Sequence, residues 1–117
     1  MEAVDIAKNA VKILDSKKAV DISLIEITEK SILSDYFVIA NGTSTTHVKS
    51  LADDLEDELN KEGITVNHIE GRATGWILLD YGEIVVHIFD KESREYYNLE
   101  RLWTDAQIMD ISHLITE

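Results

Sequence analysis

The stretch that decides the fold is Trp76-Ile77-Leu78-Leu79-Asp80-Tyr81-Gly82-Glu83-Ile84-Val85-Val86-His87-Ile88-Phe89. Two apolar runs flank a short polar segment that contains a glycine, which is the pattern of a β-hairpin. Side chains alternate between the two faces of a strand, so Ile84, Val86 and Ile88 share one wholly aliphatic face. We predict that this face belongs to the core.

The other face of the hairpin is aromatic and polar. A two-residue turn at Tyr81-Gly82 places Trp76 opposite His87 in one surface, whereas a three-residue turn with a bulge at Gly82 shifts the register and separates them. Tryptophan and tyrosine are common both in cores and at interface hot spots, so the surface is either a second core layer under a helix or an exposed binding face. The candidate partner-binding residues are Trp76, Leu78, His87 and a rim of Asp80, Tyr81 and Glu83.

The segments before the hairpin alternate between helical and strand patterns. Apolar residues recur every three or four positions over residues 3–16 and again between Val48 and Leu59, which predicts two amphipathic helices. The second helix begins at a cap provided by Thr43 or Ser44 and ends at Gly63. Strands are predicted over residues 20–27, 36–40 and 64–69, and the continuously apolar 36–40 suits a central position in the sheet.

The segments after the hairpin are less regular. Residues 93–103 predict a short helix or a packed turn, and residues 104–117 predict a C-terminal tail that is partly docked. The resulting order α-β-β-α-β-β-β-α predicts an α/β fold with a mixed sheet and packed helices. At 117 residues the chain fits a single domain, residues 1–117.

Composition excludes several classes of protein. The chain has no cysteine, which rules out disulfides and thiolate chemistry, and no apolar run near the ~20 residues of a membrane span. Its acidic N-terminus is unlike a signal peptide, so we expect a cytoplasmic protein. The net charge of −12 and the lack of a basic stripe disfavour direct nucleic-acid binding and favour a basic protein as partner.

A search for catalytic chemistry gives one candidate. The four histidines form no metal-binding pair, and there is no nucleophile elbow, P-loop or dinucleotide fingerprint. The turn Gly42-Thr43-Ser44, between a strand and a helix, resembles the phosphate-holding turn of nucleotidyltransferases. Neither Asp53-Asp54 nor Asp80 with Glu83 supplies the paired carboxylates that such an enzyme needs. We therefore interpret the turn as an ordinary helix start and expect no enzyme activity, metal or cofactor.

Several blocks occur together in an order that resembles a known family. They are Ser34-Asp35-Tyr36-Phe37-Val38-Ile39, Gly42-Thr43-Ser44, Glu70-Gly71, Trp76, Leu78-Leu79-Asp80-Tyr81-Gly82, Val86-His87-Ile88-Phe89 and Arg94-Glu95-Tyr96-Tyr97-Asn98-Leu99-Glu100-Arg101-Leu102-Trp103. The chain is similar from about Val20 to Trp103 to the ribosomal silencing factor family, RsfS, also called Iojap-like. After Trp103 we recognise no further motif of the family, and the role of these residues stays open.

The resemblance implies a nucleotidyltransferase-like fold without a metal site and a factor that is not an enzyme. Family members bind a ribosomal protein on the intersubunit face of the large subunit, block joining of the small subunit when nutrients are scarce, and tend to form homodimers. Two alternatives stay open at this point. One is a nucleotidyltransferase-like enzyme or nucleotide-binding protein that uses Gly42-Thr43-Ser44, and the other is a scaffold that only dimerises.

Overall fold

The computed structural model describes residues 2–26, 35–71, 75–97, 107–109 and 111–115. Within them the chain forms helices α1 (Ala3–Ser16), α2 (Thr45–Lys61) and α3 (Lys91–Tyr97) and a 3-10 turn (Ser112–Leu114). The strands are β1 (Val20–Glu26), β2 (Tyr36–Asn41), β3 (His68–Glu70), β4 (Trp76–Asp80), β5 (Ile84–Phe89) and β6 (Gln107–Ile108). The predicted order of eight elements is confirmed, with β6 and the 3-10 turn added. Residues 98–103 of the predicted last helix lie outside the described residues.

The strands form one mixed sheet in the order β3-β4-β5-β2-β1-β6. β2 and β5 pair in parallel, and the other neighbours pair antiparallel. The parallel pair lies at the centre, where both sheet faces are covered most, and this explains why these two strands are apolar except for buried Asn41 and His87. The predicted α/β class with a mixed sheet is confirmed.

Both long helices pack on one face of the sheet, and the main core lies between the helices and that face. α1 contributes Ala7, Ala10, Val11 and Leu14, and α2 contributes Val48, Leu51, Ala52, Leu55 and Leu59. The sheet meets them with the predicted aliphatic face of β5, Ile84, Val86 and Ile88, all at 0% exposure. Each such side chain contributes roughly 1.5–3 kcal/mol by leaving water, so this layer dominates the stability of the fold.

The ends of α2 follow from local chemistry. The Ser44 hydroxyl accepts a hydrogen bond from the backbone N–H of His47 at 3.1 Å, so Ser44 is the cap among the two candidates. Gly63, at φ +83°, ends the helix in the left-handed conformation that favours glycine. A side chain at Gly42 would place its Cβ only 2.8 Å from the backbone nitrogen of Val48. The strand-to-helix turn therefore requires glycine.

Strand β3 is shorter and later than the predicted 64–69. Ile64 and Val66 pack against the core from an irregular segment, and ladder pairing with β4 begins only at His68 opposite Asp80. Near the C-terminus, β6 pairs with β1 at Ile25 and Glu26, and Ile111 and Leu114 are buried in the core. No helix in the described part of the chain is long and apolar enough to cross a membrane.

Candidate functional site

The sheet face opposite α1 and α2, here called the far face, carries its own apolar cluster. Ile25, Ile39 and Phe89 are buried at its centre, and Phe37 and Trp76 pack against them while staying partly exposed. Strand alternation also places Leu78 and His87 on this face. The far face is thus defined by Ile25, Phe37, Ile39, Trp76, Leu78, His87 and Phe89.

The hairpin register differs from both predicted alternatives. Trp76 pairs with Phe89 and Leu78 pairs with His87, and the N–H of Tyr81 donates to the carbonyl of Ile84 at 2.9 Å. The turn therefore consists of Gly82 and Glu83, and the predicted turns at Tyr81-Gly82 or with a bulge at Gly82 are wrong.

The reason lies in the two residues that shape this turn. Gly82 occupies the first turn position at φ +87°, and the Asp80 carboxylate accepts its N–H at 2.7 Å. The register moves by two residues, so the side chains of β4 and β5 keep their predicted faces. Asp80 placed two residues before a glycine was the signal in the sequence that could have identified this turn.

Trp76 and His87 lie diagonally across the hairpin and make direct contact. The indole Nε1–H donates to Nδ1 of His87 at 3.1 Å, and the ring centroids are 5.8 Å apart. Trp76 also stacks on Phe89 at 5.1 Å, and Phe37 meets the His87 ring edge-on at 4.7 Å. The four rings form one aromatic cluster at the centre of the far face.

Exposure falls steeply from the rim of this face to its centre. Glu83 is exposed, Trp76, Leu78 and Asp80 are partly exposed, and His87 is only 4% exposed. The surface is therefore neither wholly core nor wholly exposed, the two alternatives given by the sequence. Burial lowers the pKa of His87 from 6.5 to about 4, so the ring is neutral near pH 7.

Tyr81 does not belong to this surface. Its side chain points to the helix side of the sheet with Ile77 and Leu79 and packs against the main core. Burial, and then the charge of Glu56, raise the pKa of Tyr81 to about 12. The prediction that Tyr81 borders Trp76 is wrong because residues 76, 78 and 80 share one face and residue 81 continues the other.

Polar groups of the turn Gly42-Thr43-Ser44 already make hydrogen bonds within the protein. The N–H of Thr43 donates to Nδ1 of His47 at 2.8 Å, and the Ser44 hydroxyl caps α2. The other ring nitrogen of His47 lies 3.0 Å from the carbonyl oxygen of Lys17, at the end of α1. A phosphate would have to displace these bonds. The role of His47 was missed because Lys17 is distant in sequence.

Carboxylates and histidines do not gather into a metal site in the part of the chain that the structure describes. Asp53 lies on the outer side of α2, and Asp80 is committed to the hairpin turn. His68 and Glu70 contact each other at 2.9 Å on β3. This pair brings together at most two ligands, which is too few for a structural zinc site.

Arg94 is a further residue that the sequence did not single out individually. From α3 its guanidinium donates to Oδ1 of buried Asn41 at 3.0 Å, to the Ser23 hydroxyl at 3.2 Å and to the backbone carbonyl of Asp21. Asp21 has φ +50° and lies in a register irregularity of β1, a feature that sequence patterning does not reveal. Arg94 thereby fixes α3 at one end of the far face.

Comparison with known proteins gives a consistent result. A family model described as "Ribosomal silencing factor during starvation" matches residues 1–117. The chain is 39% identical over 112 residues to "Ribosomal silencing factor RsfS" of Bacillus subtilis (strain 168), which covers 95% of each chain. It is also 37% identical over 110 residues to a mouse protein named "Mitochondrial assembly of ribosomal large subunit protein 1", which covers 87% of this chain and 48% of the mouse protein.

The fold is also similar to solved structures. A crystal structure of a protein from Chromobacterium violaceum superposes with a TM-score of 0.86 at 32% sequence identity, and the match covers 89% of this chain and 88% of that one. Sequence and structure therefore point to the same set of relatives.

Proposed function

The chain belongs to the RsfS family of ribosomal silencing factors, and from this premise we propose that it represses translation by binding the large ribosomal subunit. Bound there, it blocks joining of the small subunit and so lowers translation under nutrient limitation. The name of the mouse relative supports the choice of the large subunit. In a bacterial cell this activity belongs to the cytoplasm, where the ribosomes are.

The observation that carries the proposal is the far face with its partly exposed Trp76. Interfaces concentrate their binding energy in a few aromatic anchors that are surrounded by a polar rim. Trp76, Phe37 and Leu78 supply such anchors, and Asp80 and Glu83 supply carboxylates at the edge of the same hairpin. This composition supports docking on a protein surface.

The charge of the molecule supports a basic ribosomal protein as that partner. The chain carries 23 acidic and 11 basic side chains, so its field attracts a basic protein and opposes close approach to the ribosomal RNA backbone. The factor therefore recognises protein more than RNA. We also propose, from the resemblance to the family, that it forms a homodimer.

We propose a regulatory role without catalysis, and the alternative function is nucleotidyl transfer. The hydrogen bonds that already use Thr43 N–H and the Ser44 hydroxyl favour the regulatory role. Calorimetry with a nucleoside triphosphate and Mg²⁺ separates the two, since saturable heat would support the alternative.

Subunit joining is the direct test. Isolated large and small subunits are mixed with and without the protein, and light scattering follows their association. We expect association to fall as the protein saturates the large subunit, and we expect co-sedimentation with large subunits and not with small subunits. Unchanged association at saturating protein would refute the proposed function.

A further inference from the structure

One ring nitrogen of His87 is hydrogen-bonded, and the other has no partner in the described ranges of the chain. The indole N–H of Trp76 can only donate, so Nδ1 of His87 must accept, and the neutral ring carries its proton on Nε2. That Nε2 is buried and finds no hydrogen-bond partner within the part of the chain that the structure describes. Among the described residues, His87 thus presents a buried N–H donor without an acceptor.

The surroundings of the ring explain why this donor is unpaired. Phe37 meets the His87 ring edge-on, and the Phe89 ring lies 6.3 Å away, nearly parallel at 11°. Aromatic carbons offer no conventional acceptor. Buried polar groups are paired in the great majority of proteins, so an unpaired one calls for an explanation.

We propose that His87 determines the specificity of docking on the far face, by donating its Nε2–H to a backbone carbonyl oxygen of the bound basic protein. The inference rests on the proposed function and names the recognition chemistry at the centre of the same site. The far-face cluster is apolar except for the imidazole of His87 and the indole N–H of Trp76. A hydrogen bond from Nε2 of His87 therefore favours a partner that places an oxygen at this nitrogen over a partner that does not.

The acceptor reaches His87 from the solvent side of the far face. Phe37 touches the imidazole and is partly exposed, so we expect a rotation of its ring on docking to uncover Nε2 while the bond from Trp76 to Nδ1 stays in place. Asp80 lies two residues along β4 from Leu78, which pairs with His87. Its carboxylate disfavours an anionic acceptor nearby.

The positive charge of the partner further limits which of its groups can accept this hydrogen bond. Lysine and arginine side chains donate only, so the acceptor in a basic segment is the main-chain carbonyl. Basic side chains of the same segment are then free to meet the acidic rim at Asp80 and Glu83.

Two substitutions at one position test the donor. Both substitutions remove the Nδ1 acceptor of the Trp76 indole N–H, so they differ in the donor: His87→Phe keeps a ring without a donor, whereas His87→Gln keeps an N–H near the position of Nε2. Co-sedimentation with isolated large subunits gives affinity, and denaturant unfolding gives stability. We expect His87→Phe to be at least as stable as the wild type but to bind ~10-fold or more weakly, the loss of about one hydrogen bond. We expect His87→Gln to bind within ~3-fold of the wild type.

His68→Gln is the matched control, because His68 is an exposed histidine at the edge of the same sheet face and already contacts Glu70. We expect it to change neither affinity nor stability. If the phenylalanine ring does not fit, His87→Leu repeats the comparison with a smaller apolar side chain.

The outcomes separate this inference from the proposed function. Normal affinity of His87→Phe, or equal weakening in His87→Gln and His87→Phe, would overturn the donor role while leaving ribosome binding in place. Failure of the wild-type protein to bind large subunits would overturn the proposed function, and the inference with it. Weak binding combined with undiminished stability supports His87, because a purely structural role would lower both together.

Discussion

At the residue scale, Trp76 combines an apolar contact with a polar one. It stacks on Phe89, donates to His87 and remains partly exposed. We expect Trp76→Ala to weaken large-subunit binding by ~2–4 kcal/mol, the range of a hot-spot tryptophan. The loss of folding stability should be smaller than the ~3–5 kcal/mol typical of a fully buried aromatic side chain. Co-sedimentation beside thermal unfolding measures both.

Ile77→Ala is the control for Trp76, because Ile77 is the next residue on the strand but is fully buried on the helix side. It should lower the melting temperature and leave the affinity of the folded protein unchanged. A folded Trp76→Ala protein with normal affinity would remove the far face as the docking surface.

His87 also gives the protein a defined pH dependence. Its pKa is about 4 in the folded chain, against 6.5 in the unfolded chain. Above pH 6.5 the ring is neutral in both states. Between pH 6.5 and 4 the unfolded state takes up the proton first, so the stability falls as the pH falls, by up to ~1.4 kcal/mol per pH unit.

Denaturant unfolding at pH 7 and pH 5 checks this slope. The wild type should lose more stability over that interval than His87→Phe, which has no group to titrate at this position. Equal losses in the two proteins would contradict a buried neutral imidazole.

At the scale of elements, the start of α2 depends on one hydroxyl. Ser44→Ala removes the acceptor of the His47 N–H and should cost about 1 kcal/mol of unfolding free energy. Thr43→Ala should cost less, because it removes only the contact of the hydroxyl with Nδ1 of His47 at 3.1 Å, while the backbone N–H of Thr43 keeps its own bond to that nitrogen. Denaturant unfolding of the two variants ranks them, and a larger loss for Thr43→Ala would show that the cap is assigned to the wrong residue.

The elements also show where sequence reasoning succeeds. The helices and the core face of β5 follow from periodicity alone, because burial of one face imposes the period. The turn at Gly82-Glu83 does not, since it depends on which backbone N–H the Asp80 side chain accepts. An error of two residues in register left the side chains of β4 and β5 on their correct faces, so the part of the far face that the hairpin supplies was foreseen although its pairing was wrong.

At the scale of the whole molecule, the net charge of −12 should govern the rate of association. We expect Asp80→Asn and Glu83→Gln, at the rim, to slow association with large subunits and to reduce its salt dependence, with little effect on dissociation. Stopped-flow measurements at two ionic strengths test this, and Asp53→Asn, on the outer side of α2, is the control. Asp80→Asn retains an oxygen that can accept from Gly82, so the turn should persist.

The site as a whole was predicted less completely than the fold. A two-residue turn was expected to place Trp76 and His87 in one surface, and they do share the far face, but Tyr81 was assigned to the wrong face by its closeness in sequence. The contacts of Arg94 with Asn41 and of His47 with Lys17 join distant segments. Periodicity carries no information about such contacts, and only the assembled structure places them.

The pairing of β6 with β1 has a consequence for the synthesis of the protein on the ribosome. Ile25 pairs with Ile108 across most of the sequence, so the edge of β1 stays uncovered during synthesis until residue 108 has left the ribosome. During that time the unpaired edge can pair with a strand of another chain, which makes the growing chain more prone to aggregation than the folded one.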